Sequence, residues 1–215
     1  MKQTALFNKH VEEYDAWYKK YSEVYLSEVA AIKEQLLKLP ENIKGIEVGL
    51  GTGRFAQPLG IKEGVEPATE MAAIALRRGI EVIEGTAENL PYKDCYFDFV
   101  LYVTICYLDN IKEALKETNR VLKPKGSIII GFIDKDQTIG KAYQEKSKES
   151  TFFKHATFYT VDSITKLLKE FGFKNLEFNQ TLFGDLEEIN EIQVPKQGFG
   201  EGSFVVIKAT KKWIL

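Results

Sequence analysis

The sequence predicts an α/β domain in which helices cover both faces of a mostly parallel sheet. Strand-like and helix-like segments alternate between residues 44 and 133, a pattern typical of a parallel sheet with crossover helices. The first strand runs into three alternating glycines, Gly49, Gly51 and Gly53, and a helical pattern follows them. In open α/β sheets, the turn after such a strand is where nucleotide-like cofactors bind.

The segment before this alternating part has a different pattern. Apolar and aromatic side chains recur there at spacings of three and four residues, which predicts helix over residues 6–38, and Pro40 follows as a stop. Strands are then predicted over residues 44–49, 62–66, 81–84, 97–102, 127–133, 174–180 and 203–209. Helices are predicted near residues 54–58, 68–78, 109–122 and 160–171. Residues 137–157 are polar and aromatic without clear strand signals.

The composition is that of an ordinary globular protein. Of 215 residues, 44% are hydrophobic and 28% are charged, and the formal net charge is −2, so nothing indicates a nucleic acid as partner. No apolar run is long enough to cross a bilayer and no signal peptide is evident, so a cytoplasmic location without membrane contact is expected. No metal site is expected, because the two cysteines and two histidines are not spaced like metal ligands: Cys95, Cys106, His10 and His155.

The spacing of the glycines discriminates between cofactors. A dinucleotide site requires G-x-G-x-x-G, whereas this chain has G-x-G-x-G from Gly49 to Gly53. Glu47 lies two residues before the first glycine, and its carboxylate would repel a pyrophosphate at close range but favour a cationic group such as an α-ammonium. Glu66 ends the second predicted strand, where a carboxylate can accept hydrogen bonds from a ribose.

The stretch E-x-G-x-G-x-G, from Glu47 to Gly53, resembles the first motif of the class I S-adenosylmethionine-dependent methyltransferases. Other segments resemble later parts of that family in the same order, namely Gly64–Pro67, Gly85–Pro91, Phe97–Val103, Arg120–Gly126 and the late helix and strand up to residue 209. The resemblance, to the small type 11-like group that acts on small molecules, implies a Rossmann-like three-layer sandwich. Its seven-stranded, mostly parallel sheet has the order 3-2-1-4-5-7-6, with the last strand antiparallel, and an N-terminal helical cap.

The resemblance also implies which residues hold the cofactor. Glu66 is the partner of both ribose hydroxyls, and residues 85–91 contact adenine. Thr86 stands where the family usually has Asp, so a carboxylate contact with the adenine amino group becomes a hydroxyl contact or is lost. The backbone N–H of Ala87 can still bind the ring. The implied cofactor-binding residues are Glu47, Gly49, Gly51, Gly53, Arg54, Glu66, Pro67, Thr86, Ala87, Glu88, Tyr102 and Val103, with Tyr14, Trp17 and Tyr18 of the cap.

Two of these assignments have structural alternatives. The segment Tyr14–Tyr18 resembles a Y-D-x-W-[FY] stretch whose rings cover the cofactor, and an aromatic face stabilises a sulfonium by about 0.5–2 kcal/mol. The same pattern also fits an amphipathic helix that only packs on the domain. Arg54 either pairs with the cofactor's carboxylate or is an exposed residue near a helix start.

No catalytic residue is assigned. Methyl transfer from a sulfonium is an in-line displacement, so alignment of nucleophile and methyl group at about 3–3.5 Å can supply most of the catalysis. A general base is needed only where the acceptor must lose a proton. Four titratable residues lie at or beyond predicted strand ends or in the inserted segment, near the expected pocket mouth, and each also has an ordinary structural interpretation: Tyr107, Asp109, Asp134 and His155.

The sequence thus predicts an enzyme that transfers a methyl group from S-adenosylmethionine to an oxygen, nitrogen or carbon atom of a small-molecule acceptor. Two alternatives stay open. One is a nicotinamide-dependent oxidoreductase, which Glu47 and the glycine spacing oppose, and the other is a non-catalytic regulatory domain that binds S-adenosylmethionine. One domain is expected over residues 1–215, divided into a helical cap (1–40), a cofactor-binding half (41–134) and an acceptor-side insertion with the last two strands (135–215).

Overall fold

The computed structural model describes residues 2–212, so the expected domain ends at Met1 and Leu215 lie outside the described residues. The helices are α1 (Lys2–Lys9), α2 (Val11–Lys20), α3 (Ser22–Leu36), α4 (Ala56–Leu59), α5 (Thr69–Arg77), α6 (Ile111–Val121), α7 (Thr138–Glu145) and α8 (Val161–Glu170). The strands are β1 (Gly45–Val48), β2 (Glu63–Val65), β3 (Glu81–Ile83), β4 (Phe97–Val103), β5 (Leu122–Ile133), β6 (Phe173–Thr181), β7 (Lys196–Gln197) and β8 (Phe204–Lys211). Single turns of 3₁₀ helix lie at Ile105–Tyr107, Phe153–His155 and Leu186–Glu188. None of the described helices is long and apolar enough to cross a membrane.

The strands form one sheet in the order β3-β2-β1-β4-β5-β8-β6-β7. Strands β1 to β5 are parallel, and β8 runs antiparallel between β5 and β6. The predicted order of seven strands, with the last one antiparallel, is confirmed. Strand β7 adds two exposed residues beside β6. It is not predicted from the sequence, because so short a strand has no alternation to detect.

Both faces of the sheet are buried. In β4, every residue from Phe97 to Val103 is apolar except Asp98, a pattern typical of strands that are covered on both sides. Successive side chains point to opposite faces. Val100 therefore joins the apolar cluster that includes α6 and α8 residues, and Leu101 joins the cluster that includes α3 residues. This gives the three layers that the resemblance implies.

The N-terminal cap differs from the prediction. The continuous helix predicted over residues 6–38 is wrong, because the segment is divided into α1, α2 and α3. His10 and Tyr21 leave the helical conformation, with φ/ψ of −119°/31° and −112°/53°. A straight helix over that segment would extend about 50 Å, whereas the two breaks let α1 pack on α5 while α3 packs on β5, β6 and β8. Tertiary packing, not local periodicity, determines where the helix axis turns.

One carboxylate joins the cap to the rest of the domain. Asp15 on α2 accepts hydrogen bonds from Thr52 at 2.9 Å, from Nε of Arg54 at 2.8 Å and from Nη2 of Arg78 at 2.9 Å. Arg78 also donates to Oγ1 of Thr52 at 2.9 Å. The side chains of Asp15, Arg54 and Arg78 are each less than one-fifth exposed. The network therefore fixes α2 against both the glycine loop and the end of α5.

We expect Asp15→Asn to lower the free energy of unfolding by about 2 kcal/mol at pH 7, because two partly buried guanidinium groups would lose their counter-charge. Burial raises the pKa of Asp15, but hydrogen bonds from Arg54, Arg78 and Thr52 outweigh it and hold the pKa below its usual range. Stability from such an acid is present above its unfolded pKa of about 4 and is lost as the pH falls further. The difference from wild type should therefore shrink below about pH 4.

Urea unfolding at pH 7 and at acidic pH measures both effects. Glu12→Gln, which removes an exposed carboxylate from the same helix, is the matched control and should change stability by less than about 0.5 kcal/mol. Equal losses in the two variants at pH 7 would show that the Asp15 network does not hold the cap.

Candidate active site

The loop after β1 turns sharply at the carboxyl edge of the parallel strands. Gly49 and Gly51 have φ of 69° and 56°, in the left-handed region that residues with a Cβ rarely adopt. The N–H of Gly49 donates to the carbonyl oxygen of Val65 at 2.8 Å, which joins the loop to the end of β2. A Cβ on Gly51 would lie 3.3 Å from the Tyr14 hydroxyl oxygen. Glycine thus permits the turn and leaves the small gap between the loop and the cap.

Glu66 follows β2 and faces this loop. Its carboxylate accepts the N–H of Gly51 at Oε2 and the N–H of Ala68 at Oε1, both at 2.8 Å. Burial raises the pKa of Glu66, and the two backbone hydrogen bonds oppose the rise. Each carboxylate oxygen has more than one acceptor site, so Glu66 can also accept hydrogen bonds from the hydroxyls of a ligand.

Glu47 lies in β1 and is 1% exposed. Burial raises its pKa well above the usual value; a backbone hydrogen bond from Ala56 opposes the rise, and the charge of Glu66 adds to it. Among the described residues, no group donates a hydrogen bond to its Oε2. A buried oxygen without a hydrogen-bond partner costs folding free energy. Oε2 of Glu47 can therefore accept a hydrogen bond from a bound donor, and a cation bound nearby would be attracted to the ionised carboxylate.

A cleft of about 930 Å³, which includes space open to solvent, adjoins the glycine loop. Its described lining consists of Gln3, Thr4, Phe7, Tyr14, Val48, Gly49, Gly51, Glu66, Pro67, Met71, Thr86, Ala87, Glu88, Tyr102, Val103, Thr104, Ile105, Tyr107, Leu108 and Asp109. Three of these residues, Glu66, Glu88 and Asp109, are acidic, and none is Lys or Arg. The cleft therefore offers acceptors for hydroxyl and ammonium groups but no cation for a phosphate.

A second cavity of about 1100 Å³, which also includes space open to solvent and which we call the aromatic chamber, adjoins the cleft. It is lined by Glu13, Tyr14, Trp17, Tyr18, Glu28, Thr104, Ile105, Cys106, Tyr107, Phe132, Ile133, Tyr143, Ser150, Phe152, Phe153, Phe158 and Tyr159. Tyr14, Thr104, Ile105 and Tyr107 line both cavities. The two cavities therefore meet beside the end of β4.

Comparison with known proteins decides the family. Residues 46–130 match the family model of a methyltransferase domain. A crystal structure from Thermotoga maritima, named as a SAM-dependent methyltransferase and possible histamine N-methyltransferase, is 45% identical and superposes with a TM-score of 0.93 over 98% of this chain and 100% of its own. The chain belongs to the class I S-adenosylmethionine-dependent methyltransferases. The resemblance found in the sequence, to the type 11-like group, is confirmed.

Two further proteins are similar to this chain over most of its length. An uncharacterised protein of Methanocaldococcus jannaschii is 45% identical over 207 residues, which cover 96% of this chain and 98% of that protein. A demethylmenaquinone methyltransferase of Chlorobaculum parvum is 32% identical over 162 residues, which cover 63% of this chain and 67% of that enzyme.

The structure brings most of the sequence-predicted cofactor residues of the methyltransferase together. Those that line the cleft are Tyr14, Gly49, Gly51, Glu66, Pro67, Thr86, Ala87, Glu88, Tyr102 and Val103. Those that lie outside its lining are Trp17, Tyr18, Glu47, Gly53 and Arg54. Trp17 and Tyr18 instead line the aromatic chamber. The hydroxyl of Tyr102 is buried and hydrogen-bonded to Oγ1 of Thr118 at 2.7 Å.

Gly53 and Arg54 do not line the cleft; each contacts other parts of the protein instead. Gly53 has φ of 77°, and a Cβ there would lie 2.4 Å from Cδ1 of Ile80 and 3.2 Å from Cβ of Ala75. This glycine therefore allows the loop to pack closely against α5. Arg54 is ion-paired with Asp15 through Nε and Nη2, which gives this residue a structural role in holding α2.

The four candidate bases separate into two groups. Tyr107 lines both cavities and Asp109 lines the cleft, whereas His155 and Asp134 line neither. Burial raises the pKa of Tyr107 well above its ordinary value, so this phenol is a hydrogen-bond donor near neutral pH rather than a base. Asp134 accepts the N–H of Asp136 at 3.1 Å and stabilises the turn after β5.

The sequence predicts site positions for Tyr14, Trp17, Tyr18 and Tyr107 but not for the other residues that form the aromatic chamber. The rings of the chamber come from α2, the 3₁₀ turn at Ile105–Tyr107, β5, α7 and the segment between α7 and α8. The last of these has no periodicity to reveal which side chains share a face. Its aromatic content, with Phe152, Phe153, Phe158 and Tyr159, was the available signal. Glu28 gives no signal in the sequence, because an acidic residue in a helical pattern is expected to face solvent.

Within residues 2–212, no group of three or more His, Cys, Asp or Glu side chains is placed to hold a metal ion.

We expect Gly53→Ala to destabilise the methyltransferase by about 2–4 kcal/mol, since the new methyl group would clash with Ile80 and the positive φ would be strained. Gly60→Ala is the matched control, because Gly60 has φ of 74° but open space around its Cβ position, so only backbone strain of about 1–2 kcal/mol should appear. Thermal or urea unfolding compares the two. A smaller loss at Gly53 than at Gly60 would contradict the packing role.

Proposed function

We propose that the methyltransferase binds S-adenosylmethionine in the cleft and transfers its methyl group to an oxygen, nitrogen or carbon atom of a small molecule held in the aromatic chamber. The observation that carries this proposal is the junction of the two cavities at Tyr14, Thr104, Ile105 and Tyr107. A cofactor cleft and an acceptor cavity must meet for an in-line transfer, because nucleophile and methyl group have to approach to about 3–3.5 Å.

The chemistry of the cleft fits this cofactor. S-adenosylmethionine supplies a methyl group activated by a sulfonium, and it carries hydroxyls and an ammonium but no phosphate. Glu66 has acceptor capacity left for two ribose hydroxyls, and Glu47 has a buried oxygen without a donor. An ammonium bound near the loop would favour the ionised form of Glu47 and lower its raised pKa. A pyrophosphate, in contrast, would meet carboxylates and no described Lys or Arg, which opposes a nicotinamide cofactor.

Aromatic side chains of the cap lie at the junction of the cavities. Phe7 on α1 contacts the Tyr107 ring edge-on with centroids 4.9 Å apart and stacks on Phe152 at 5.8 Å. The Tyr14 hydroxyl is hydrogen-bonded to that of Tyr18 at 2.8 Å. These aromatic faces can also stabilise a sulfonium. The proposed contribution of these residues to catalysis is alignment of the acceptor and the methyl group beside aromatic faces.

The size of the chamber and the names of relatives support a small-molecule acceptor. The Thermotoga maritima structure is named for histamine and the Chlorobaculum parvum enzyme for demethylmenaquinone, which are two different small acceptors. The acceptor atom is therefore an open part of this proposal.

The first test is cofactor binding. The wild-type protein should bind S-adenosylhomocysteine in the micromolar range, about −8 kcal/mol, and should bind NAD far more weakly. Gly51→Val places a branched side chain against the Tyr14 hydroxyl and into the cleft, so binding should be lost. Gly60→Val, at a left-handed glycine outside the cleft lining, should keep it. Calorimetry with folding checked by circular dichroism compares the variants.

Tight binding of S-adenosylhomocysteine by folded Gly51→Val protein would refute this placement of the cofactor, and tight binding of NAD would favour the oxidoreductase. Release of S-adenosylhomocysteine from S-adenosylmethionine in the presence of a panel of acceptors tests catalysis. Cofactor binding without turnover on any acceptor would favour the regulatory domain.

Glu66 should recognise the ribose. We expect Glu66→Ala to weaken S-adenosylhomocysteine binding by about 1.5–3 kcal/mol for each hydrogen bond lost to a charged acceptor. Because Glu66 also holds the N–H of Gly51, a 2′,3′-dideoxy analogue of the ligand separates the two roles. Wild type should discriminate strongly between ligand and analogue, and Glu66→Ala should not. If the variant kept the discrimination, Glu66 would serve only the loop.

A further inference from the structure

The aromatic chamber contains one carboxylate that the proposed transfer does not use. Glu28 on α3 lines the chamber and is 7% exposed. It lies on the face of the helix that packs into the protein, with Val24, Ala31 and Gln35. In the described part of the chain, no donor forms a hydrogen bond with its side chain and no cation forms an ion pair with it. A buried carboxylate without a partner is one of the costliest groups in a folded protein.

The surroundings of Glu28 do not provide a counter-charge. The titratable groups facing it from α2, from α3 itself and from α7 are Tyr18, Tyr25 and Tyr143, and burial raises the pKa of each phenol above 10. These rings are therefore neutral near pH 7. Burial alone raises the pKa of Glu28 to about 8. Burial therefore favours the neutral acid form of Glu28, which can become a carboxylate when a cation binds beside it.

The rest of the chamber wall is suited to a cation and unsuited to an anion. None of the described lining residues is Lys, Arg or His, and the second charged residue, Glu13, is also acidic. Glu13 is more than half exposed and pairs with His10 at 3.1 Å, so it lies at the mouth. The faces of Trp17, Tyr18 and Tyr143 can contact a cation, and such contacts gain strength where water is excluded. The same rings provide apolar surface for the body of a ligand.

We propose that the acceptor is a small amine that binds as a cation, with its ammonium group against the Glu28 carboxylate and its apolar part against the aromatic rings. This inference rests on the proposed function, because it takes the aromatic chamber as the acceptor site. It assigns to Glu28 the role of an acceptor-binding residue that selects for positive charge.

The experiment uses three probes of nearly equal shape, 2-phenylethylamine, 2-phenylethanol and 3-phenylpropionate, which are cationic, neutral and anionic at pH 7. Each is titrated calorimetrically into the full chain with and without saturating S-adenosylhomocysteine. The amine should bind at least about tenfold more tightly than the alcohol, in line with a hydrogen bond to a buried charged group, and the propionate should not bind measurably. Amine binding at pH 7 should also release about one proton from Glu28, measured from the heats in two buffers.

Glu28→Gln keeps the shape of the side chain and removes its charge. We expect this variant to bind the amine within about threefold of the alcohol and to release no proton, with KM rather than kcat affected for any amine that is methylated. Its stability should equal or exceed that of wild type, since a desolvated acid is removed. Glu23→Gln, on the same helix but outside the chamber lining, is the control and should keep both the preference and the proton release.

The possible outcomes separate the inference from the function on which it rests. Failure of S-adenosylhomocysteine to bind would refute the proposed function, while a Glu28-dependent preference for the amine in the unliganded protein would still support the cationic site. Binding of S-adenosylhomocysteine with equal affinity for amine and alcohol, or with a preference that survives Glu28→Gln, would overturn the inference and leave the function standing. Absence of binding by all three probes in both states would also overturn it.

Discussion

The hydrogen bond between the N–H of Gly51 and the carboxylate of Glu66 is the contact on which the site depends. It joins the loop after β1 to the end of β2 at 2.8 Å, and it stabilises a turn that two left-handed glycines make possible. Because the strands are parallel, their carboxyl ends meet at one edge, and this loop defines the cleft there. One carboxylate thus shapes the backbone of the cleft and presents acceptors to whatever binds in it.

The cap depends on that loop as well. Asp15 fixes α2 through Thr52 and Arg54 of the loop and Arg78 at the end of α5, which brings Tyr14 to the wall between the two cavities. The ion pair of Arg54 with Asp15 thus helps to hold Tyr14 at the junction of the two cavities. Arg54, which the family pattern assigns to the cofactor, therefore positions the helix that carries Tyr14.

The two cavities share an acidic lining. The described lining of each contains carboxylates and neither contains Lys or Arg, although the chain as a whole has 29 basic and 31 acidic residues. In a low-dielectric cavity such an imbalance discriminates strongly between ligands. It favours a cofactor with a sulfonium and an ammonium over a pyrophosphate, and it favours a cationic acceptor over an anionic one.

The sequence by itself determined the sheet order, the glycine loop and Glu66, because local backbone requirements and a resemblance in several ordered segments specify them. It did not determine the breaks at His10 and Tyr21, the packing role of Gly53 or the pairing of Arg54. Nor did it indicate Glu28, which the helical pattern treats as an ordinary surface acid. Only the tertiary structure decided these points, because each depends on residues far apart in the chain whose contact no local periodicity records: Ile80 against Gly53, Asp15 against Arg54, and aromatic rings from five segments around one buried carboxylate.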